Sequence, residues 1–129
     1  MNIGKAANLS NLTIKTVRYY ANIGLIKPTQ NPLTSYREYN EEEVSKLKFI
    51  GKARKFDFSI NECKELLSLY EDKNRTSKEV KKITLEKISQ IENKLKDLND
   101  LKKELSFLAN NCHGDDKPNC PILDELSKN

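Results

Sequence analysis

The chain is poor in the residues from which enzymes and structural metal sites are built. Histidine occurs once, as His113, and cysteine three times, as Cys63, Cys112 and Cys120. A closed structural zinc site normally takes four Cys or His ligands. Such a site would need every one of these donors, yet Cys63 falls on an apolar helical stripe and reads as a small buried hydrophobe. No nucleophile–base constellation, open metal site with a placed base, or glycine-rich phosphate loop is present, so the pattern is not that of an enzyme. No window approaches membrane-spanning length, and Met1-Asn2-Ile3-Gly4-Lys5 lacks the apolar run of a signal peptide. The expected location is the cytoplasm, with no membrane partner. In that reducing compartment an odd cysteine count argues against a disulfide framework and for thiol chemistry or burial. Glycine and proline number four each, and none occurs from 52 to 113. That leaves room for a long uninterrupted helix.

What is present is charge, unevenly placed. At 129 residues there is room for one compact domain and an extension. Residues 1–60 carry ten Lys and Arg against five Asp and Glu, whereas residues 61–129 carry thirteen against fourteen. A basic first half beside a nearly neutral second half suggests a polyanion partner for the first half only, although a solvated basic face gives the same count.

Ile3 to Leu9 is a short amphipathic segment, broken at Ser10-Asn11. Thr13 can cap a second helix from Ile14 to Ile23, stopped by Gly24, which tolerates the left-handed backbone of a helix end. Two short helices joined by a tight turn make a helix-turn-helix candidate. The second displays Lys15, Thr16, Arg18, Tyr19 and Tyr20, and of the adjacent tyrosines Tyr19 reads as core at least as readily as surface. Pro28, Asn31 and Pro32 then punctuate a small hairpin or wing over 27–39, with Tyr36-Arg37-Glu38-Tyr39 alternating as a strand would. Asn40 followed by three glutamates opens a helix with the stripe Val44, Leu47, Ile50 and Ala53. Ser59-Ile60-Asn61-Glu62 and Thr76-Ser77-Lys78-Glu79 are capping boxes for two more. The last is predicted over 76–109. Ile88, Ile91, Leu95 and Leu98 form a coiled-coil seam, which Leu101, Leu105 and Leu108 continue out of phase. So long and polar a helix needs a partner for its stripe, and an identical chain is the simplest one.

Beyond it, Cys112 and Cys120 bracket seven residues in which Gly114 and Pro118 can turn the backbone back on itself. Two thiolates with few other donors suit a soft monovalent d10 ion, above all Cu(I), then Ag(I) and Au(I). The same pair could also close as a redox-sensing disulfide. Asp115 and Asp116 are hard ligands and read as turn formers. His113, adjacent to Cys112, reads as an exposed loop residue. Ile122, Leu123 and Leu126 fit a short helix over the site.

Thr13-Ile14-Lys15-Thr16-Val17-Arg18-Tyr19-Tyr20, Gly24-Leu25-Ile26 and Tyr36-Arg37-Glu38-Tyr39 together resemble the MerR family of transcriptional regulators, over essentially the whole chain. The resemblance implies a mainly α fold. It has a winged helix-turn-helix DNA-binding domain over 1–71, an antiparallel coiled-coil dimerisation helix over 72–110, and a metal-binding loop with a short helix over 111–129. It implies that Lys15, Arg18, Tyr20, Tyr36, Arg37 and Arg54 match DNA-contacting positions, beside Thr16 on the same helix. It also implies a homodimer that distorts promoter DNA so that RNA polymerase can use it. The C-terminal residues Cys112, Gly114-Asp115-Asp116 and Cys120-Pro121-Ile122 are similar to the copper-efflux regulators of the family. Ser77, supplied by the partner chain, stands where divalent-metal members carry cysteine. His113 departs from the proline usual there. A thiol-redox or divalent-metal sensor is the competing reading. Iron–sulfur members need four clustered cysteines, and multidrug-type members a large C-terminal domain, neither of which this sequence contains.

Overall fold

Side-chain caps set the helix boundaries in the first half of the chain. The computed structural model describes residues 1–129 and divides into two units, Met1–Lys82 and Ile83–Asn129. In the first unit, α1 (Ile3–Ser10) begins where the Asn2 side chain accepts from the Lys5 amide. It ends at Asn11, whose φ of 58° reverses the chain. Thr13 caps α2 (Ile14–Asn22) by accepting from the Thr16 amide, and Gly24 follows at φ 78°. A side chain at that φ is strained, which is why glycine stands there. Asn40 caps α3 (Glu41–Lys55), with Glu41, Glu42 and Glu43 in the first turn and Lys52, Arg54 and Lys55 in the last. Both ends complement the helix dipole. α4 (Ile60–Glu71) opens with the reciprocal Ser59–Glu62 capping box that its sequence predicts.

Between α2 and α3 the wing is smaller than the predicted strand pattern. β1 (Thr29–Gln30) and β2 (Arg37–Glu38) pair antiparallel, Thr29 opposite Glu38 and Gln30 opposite Arg37. Its tip is held by its own backbone: the Asn31 amide donates to Tyr36 O (2.8 Å) and the Ser35 amide to Asn31 O (2.8 Å). Asn31 Oδ1 in turn accepts from the amides of Leu33 and Thr34. Val17, Ile26, Tyr39, Leu47, Ile50 and Cys63 are the largest fully buried side chains, and α1 packs on both α2 and α3, with α4 on α3. Tyr39 leaves its hydroxyl buried without a hydrogen-bond partner.

α5 (Ser77–Asn110) is a single helix of 34 residues, about 50 Å at roughly 1.5 Å per residue, whose start is marked by the Glu79 amide donating to Thr76 Oγ1 (3.3 Å). Along it Ile88, Leu95, Leu98, Leu101 and Leu105 are exposed. α6 (Pro121–Leu126) follows, with proline in its first turn, where the missing N–H costs nothing. The chain is therefore mainly helical, a helix-turn-helix with a small wing and a long helix, as the sequence suggests. No helix is long and apolar enough to cross a membrane.

Candidate metal centre and nucleic-acid interface

The loop after α5 brings its two thiols face to face. Cys112 continues the last turn of α5, its amide donating to Ala109 O (3.2 Å). Gly114 then takes φ 61°, and the Lys117 amide donates to Asp115 Oδ1 (2.9 Å). Asp115 thus shapes the turn, the role its hardness as a ligand left for it. Cys120 occupies the cap position of α6. The result is Cys112 Sγ 3.9 Å from Cys120 Sγ, both cysteines free and half-buried. No cap hydrogen bond closes from the Cys120 side chain. Its thiol is nevertheless held below its ordinary pKa, first by the Leu123 amide at the start of α6, against an opposing effect of desolvation, and then by the Ile122 amide and Cys112. Amides that lower a thiol pKa do so by favouring the thiolate, the form that ligates metals.

The geometry fits a shared soft ion. A disulfide needs sulfurs about 2.05 Å apart, so the two stand apart as thiols. With metal–sulfur bonds of about 2.3 Å, two sulfurs lie roughly 4.6 Å apart in a linear centre, 4.0 Å in a trigonal one and 3.8 Å in a tetrahedral one. The observed separation lies close to the trigonal and tetrahedral values and about 0.7 Å short of the linear one. A two-coordinate ion therefore requires the loop to open slightly, and the number of donors decides the coordination. Within the chain no group of three or more His, Cys, Asp or Glu side chains comes together. His113, Asp115 and Asp116 are all exposed. Ser77 begins α5, at the opposite end of the 34-residue helix from Cys112, so these residues of one chain do not meet. Cys63 is fully buried, 3.9 Å from Phe58 O, and burial raises its pKa, which suits the packing role its stripe predicts.

In the first unit, α2 and the wing present the basic surface. Lys15, Arg18 and Tyr19 are exposed on α2, and Thr16 shares its hydroxyl with the Thr13 cap at 2.8 Å. Tyr36 is exposed at the wing, and Arg37, half-buried beside it, donates from Nη2 to Asn22 Oδ1 at 2.7 Å. A cleft of about 710 Å³ is lined by Arg18, Asn22, Tyr36 and Arg37 among others.

The tyrosine pair departs from the sequence reading. Tyr20, expected to reach DNA, is only 5% exposed, whereas Tyr19, which could be core as readily as surface, is 50% exposed. Val17 and Tyr20 stand three residues apart and are the two buried residues of α2, which turns Tyr19 outward. Arg54 is exposed on α3, but its Nη1 donates to Phe58 O (2.8 Å). Tyr20's pKa is raised chiefly by burial, with the Arg54 guanidinium opposing. Arg54 thus braces the segment leading into α4. Two features of this surface that sequence reasoning did not single out are the outward face of Tyr19 and the contact of Asn22 with Arg37. The three-residue spacing of Val17 and Tyr20 was a signal for the first, and no local pattern marks the second.

Known proteins agree with this architecture. The family description "MerR HTH family regulatory protein" matches residues 1–70, and "MerR, DNA binding" matches residues 44–108. The chain is 46% identical to the HTH-type transcriptional regulator HmrR of Rhizobium leguminosarum bv. viciae, covering 98% of each chain. It is 39% identical to the HTH-type transcriptional regulator CueR of Salmonella typhimurium, covering 98% of this chain and 92% of that protein. Among solved structures it resembles the transcription regulator PbrR691 of Ralstonia metallidurans CH34 in complex with lead(II). There the TM-score is 0.83 and the identity 29%, over 98% of this chain and 99% of that one.

Proposed function

Because this chain belongs to the MerR family of helix-turn-helix regulatory proteins, DNA-binding transcription regulators and not enzymes, we propose that it is a cytoplasmic, metal-responsive activator of copper-efflux genes. Its effector would be Cu(I), with Ag(I) and Au(I) as the other ions of the same chemistry. The observation that carries this is the Cys112–Cys120 pair, two sulfurs 3.9 Å apart with no third ligand from the same chain. Two thiolates around a monovalent ion leave a net charge of −1, which the amides at the start of α6 can face. A dication between two thiolates would be neutral and under-coordinated. The partner's Ser77, in place of a cysteine, withholds the third thiolate that a dication would use. The similarity to CueR supports the copper assignment. The lead(II) complex of PbrR691 makes a divalent ion the second reading.

In this reading residues 1–71 bind promoter DNA through Lys15, Thr16, Arg18, Tyr36 and Arg37, with Tyr20 and Arg54 supporting the recognition helix from behind. Residues 72–110 pair two chains as an antiparallel coiled coil along the seam of α5. Residues 111–129 close on the ion. Cys112 and Cys120, drawn together by an ion, hold the loop and α6 in one arrangement, and the dimer geometry that accommodates it gains population by its differential affinity. That dimer distorts the promoter so that RNA polymerase can engage it.

The test is anaerobic titration of the dimer with Cu(I), Ag(I) and Zn(II), scored by distortion of a duplex that the wild-type protein selects from random sequence. Distortion with the two monovalent ions and not with Zn(II) is expected, and a response to Zn(II) alone would establish the divalent reading. Cys112→Ser and Cys120→Ser should each abolish the response while leaving binding to the duplex within about twofold, since neither lies in the DNA-binding unit.

A further inference from the structure

We propose that Asn22 is a positioning residue of the DNA interface, fastening the Arg37 guanidinium of the wing to the end of the recognition helix so that it meets a phosphate already oriented. The inference rests on the DNA-binding reading of Arg37 above. Its geometric basis is the 2.7 Å hydrogen bond from Arg37 Nη2 to Asn22 Oδ1, across fifteen residues of sequence. A guanidinium can only donate, so the amide oxygen, not the nitrogen, must face it. The backbone of Arg37 belongs to the wing ladder opposite Gln30, while Asn22 is the last residue of α2. The bond therefore joins the two elements that would straddle the DNA backbone.

The chemistry of the acceptor matters. A guanidinium carries five N–H donors, and holding Asn22 leaves the others for the cleft that Arg18 and Tyr36 also line. A carboxylate at position 22 would hold the guanidinium as firmly, but it would pair with the positive charge and repel phosphate. A neutral amide fixes the side chain and leaves the charge intact. An unheld arginine is one of the side chains that lose most rotamer freedom on binding, and fixing it in advance removes that loss from the binding step.

The experiment is a double-mutant cycle on the full-length dimer. Asn22→Ala, Arg37→Ala and the double variant are compared by fluorescence anisotropy on the duplex selected by the wild-type protein, at several salt concentrations. Asn22→Ala should weaken binding roughly two- to tenfold, the cost of ordering one long side chain. Its slope of log affinity against log salt should match wild type, because the charge on Arg37 remains. Arg37→Ala should weaken binding further and reduce that slope by about 0.9, one phosphate contact. In the Arg37→Ala background, Asn22→Ala should change nothing. Additive losses, or an Asn22→Ala protein that binds as wild type while Arg37→Ala is weakened, overturn the positioning role alone. An Arg37→Ala protein that binds as wild type overturns the DNA-binding placement of Arg37, and the positioning role with it.

Discussion

Individual side chains in this protein are assigned by which way they face rather than by what they are. Tyr19 and Tyr20 are chemically identical neighbours, and helical geometry turns consecutive residues about 100° apart. One therefore packs under α2 and the other looks out. Tyr39 is buried completely, and its hydroxyl finds no partner. A buried unsatisfied hydroxyl costs desolvation without return, so Tyr39→Phe should keep the fold and raise stability by about 1 kcal/mol. Urea denaturation checks this, and a loss of stability would show that the hydroxyl has a partner after all. At the loop between Cys112 and Cys120, residue identity settled more. The count of soft donors was legible as soon as the single histidine and the three cysteines were located. That Cys63 is a core residue followed from its stripe, and its full burial agrees.

At the scale of the element, capping chemistry made the boundaries readable. Asn40, Ser59 and Thr13 each stand where the sequence puts them, and each accepts the expected amide. The Ser59–Glu62 box closes in both directions, at 2.8 and 3.1 Å. Ser59→Ala should therefore cost about 1 kcal/mol, measured by thermal unfolding, with DNA binding at low temperature unchanged. The wing was harder to read. Alternation in Tyr36-Arg37-Glu38-Tyr39 suggested a longer strand than the two residues that pair. Tyr36 is drawn into the tip turn, its carbonyl accepting from Asn31, and Tyr39 leaves the ladder for the core. The tether between Asn22 and Arg37 had no signal at all, because it depends on how a hairpin leans on a helix fifteen residues away.

The whole molecule is shaped by a helix that one chain does not cover. Leu95, Leu98, Leu101 and Leu105 are each more than half exposed. Apolar residues repeating at three and four along so long a helix are costly in water unless they meet a second helix. Under the dimer reading, Leu98→Lys places a charge on the seam. It should shift sedimentation from dimer to monomer at micromolar concentration, and lose binding to a two-fold operator with it. A dimer that persisted unchanged would remove α5 as the pairing element.

The sequence by itself determined the helix boundaries, the basic character of the first half, the apolar stripe of α5 and the number of soft donors. All of these are local or compositional: caps and glycines act within one turn, and donors can be counted. Only the tertiary structure decided that Arg54 reaches the Phe58 carbonyl, that Arg37 is held by Asn22, and that two sulfurs eight residues apart come to 3.9 Å. Each of these depends on the rotation of a helix or the closure of a loop against another element. No run of residues encodes that geometry until the elements have packed.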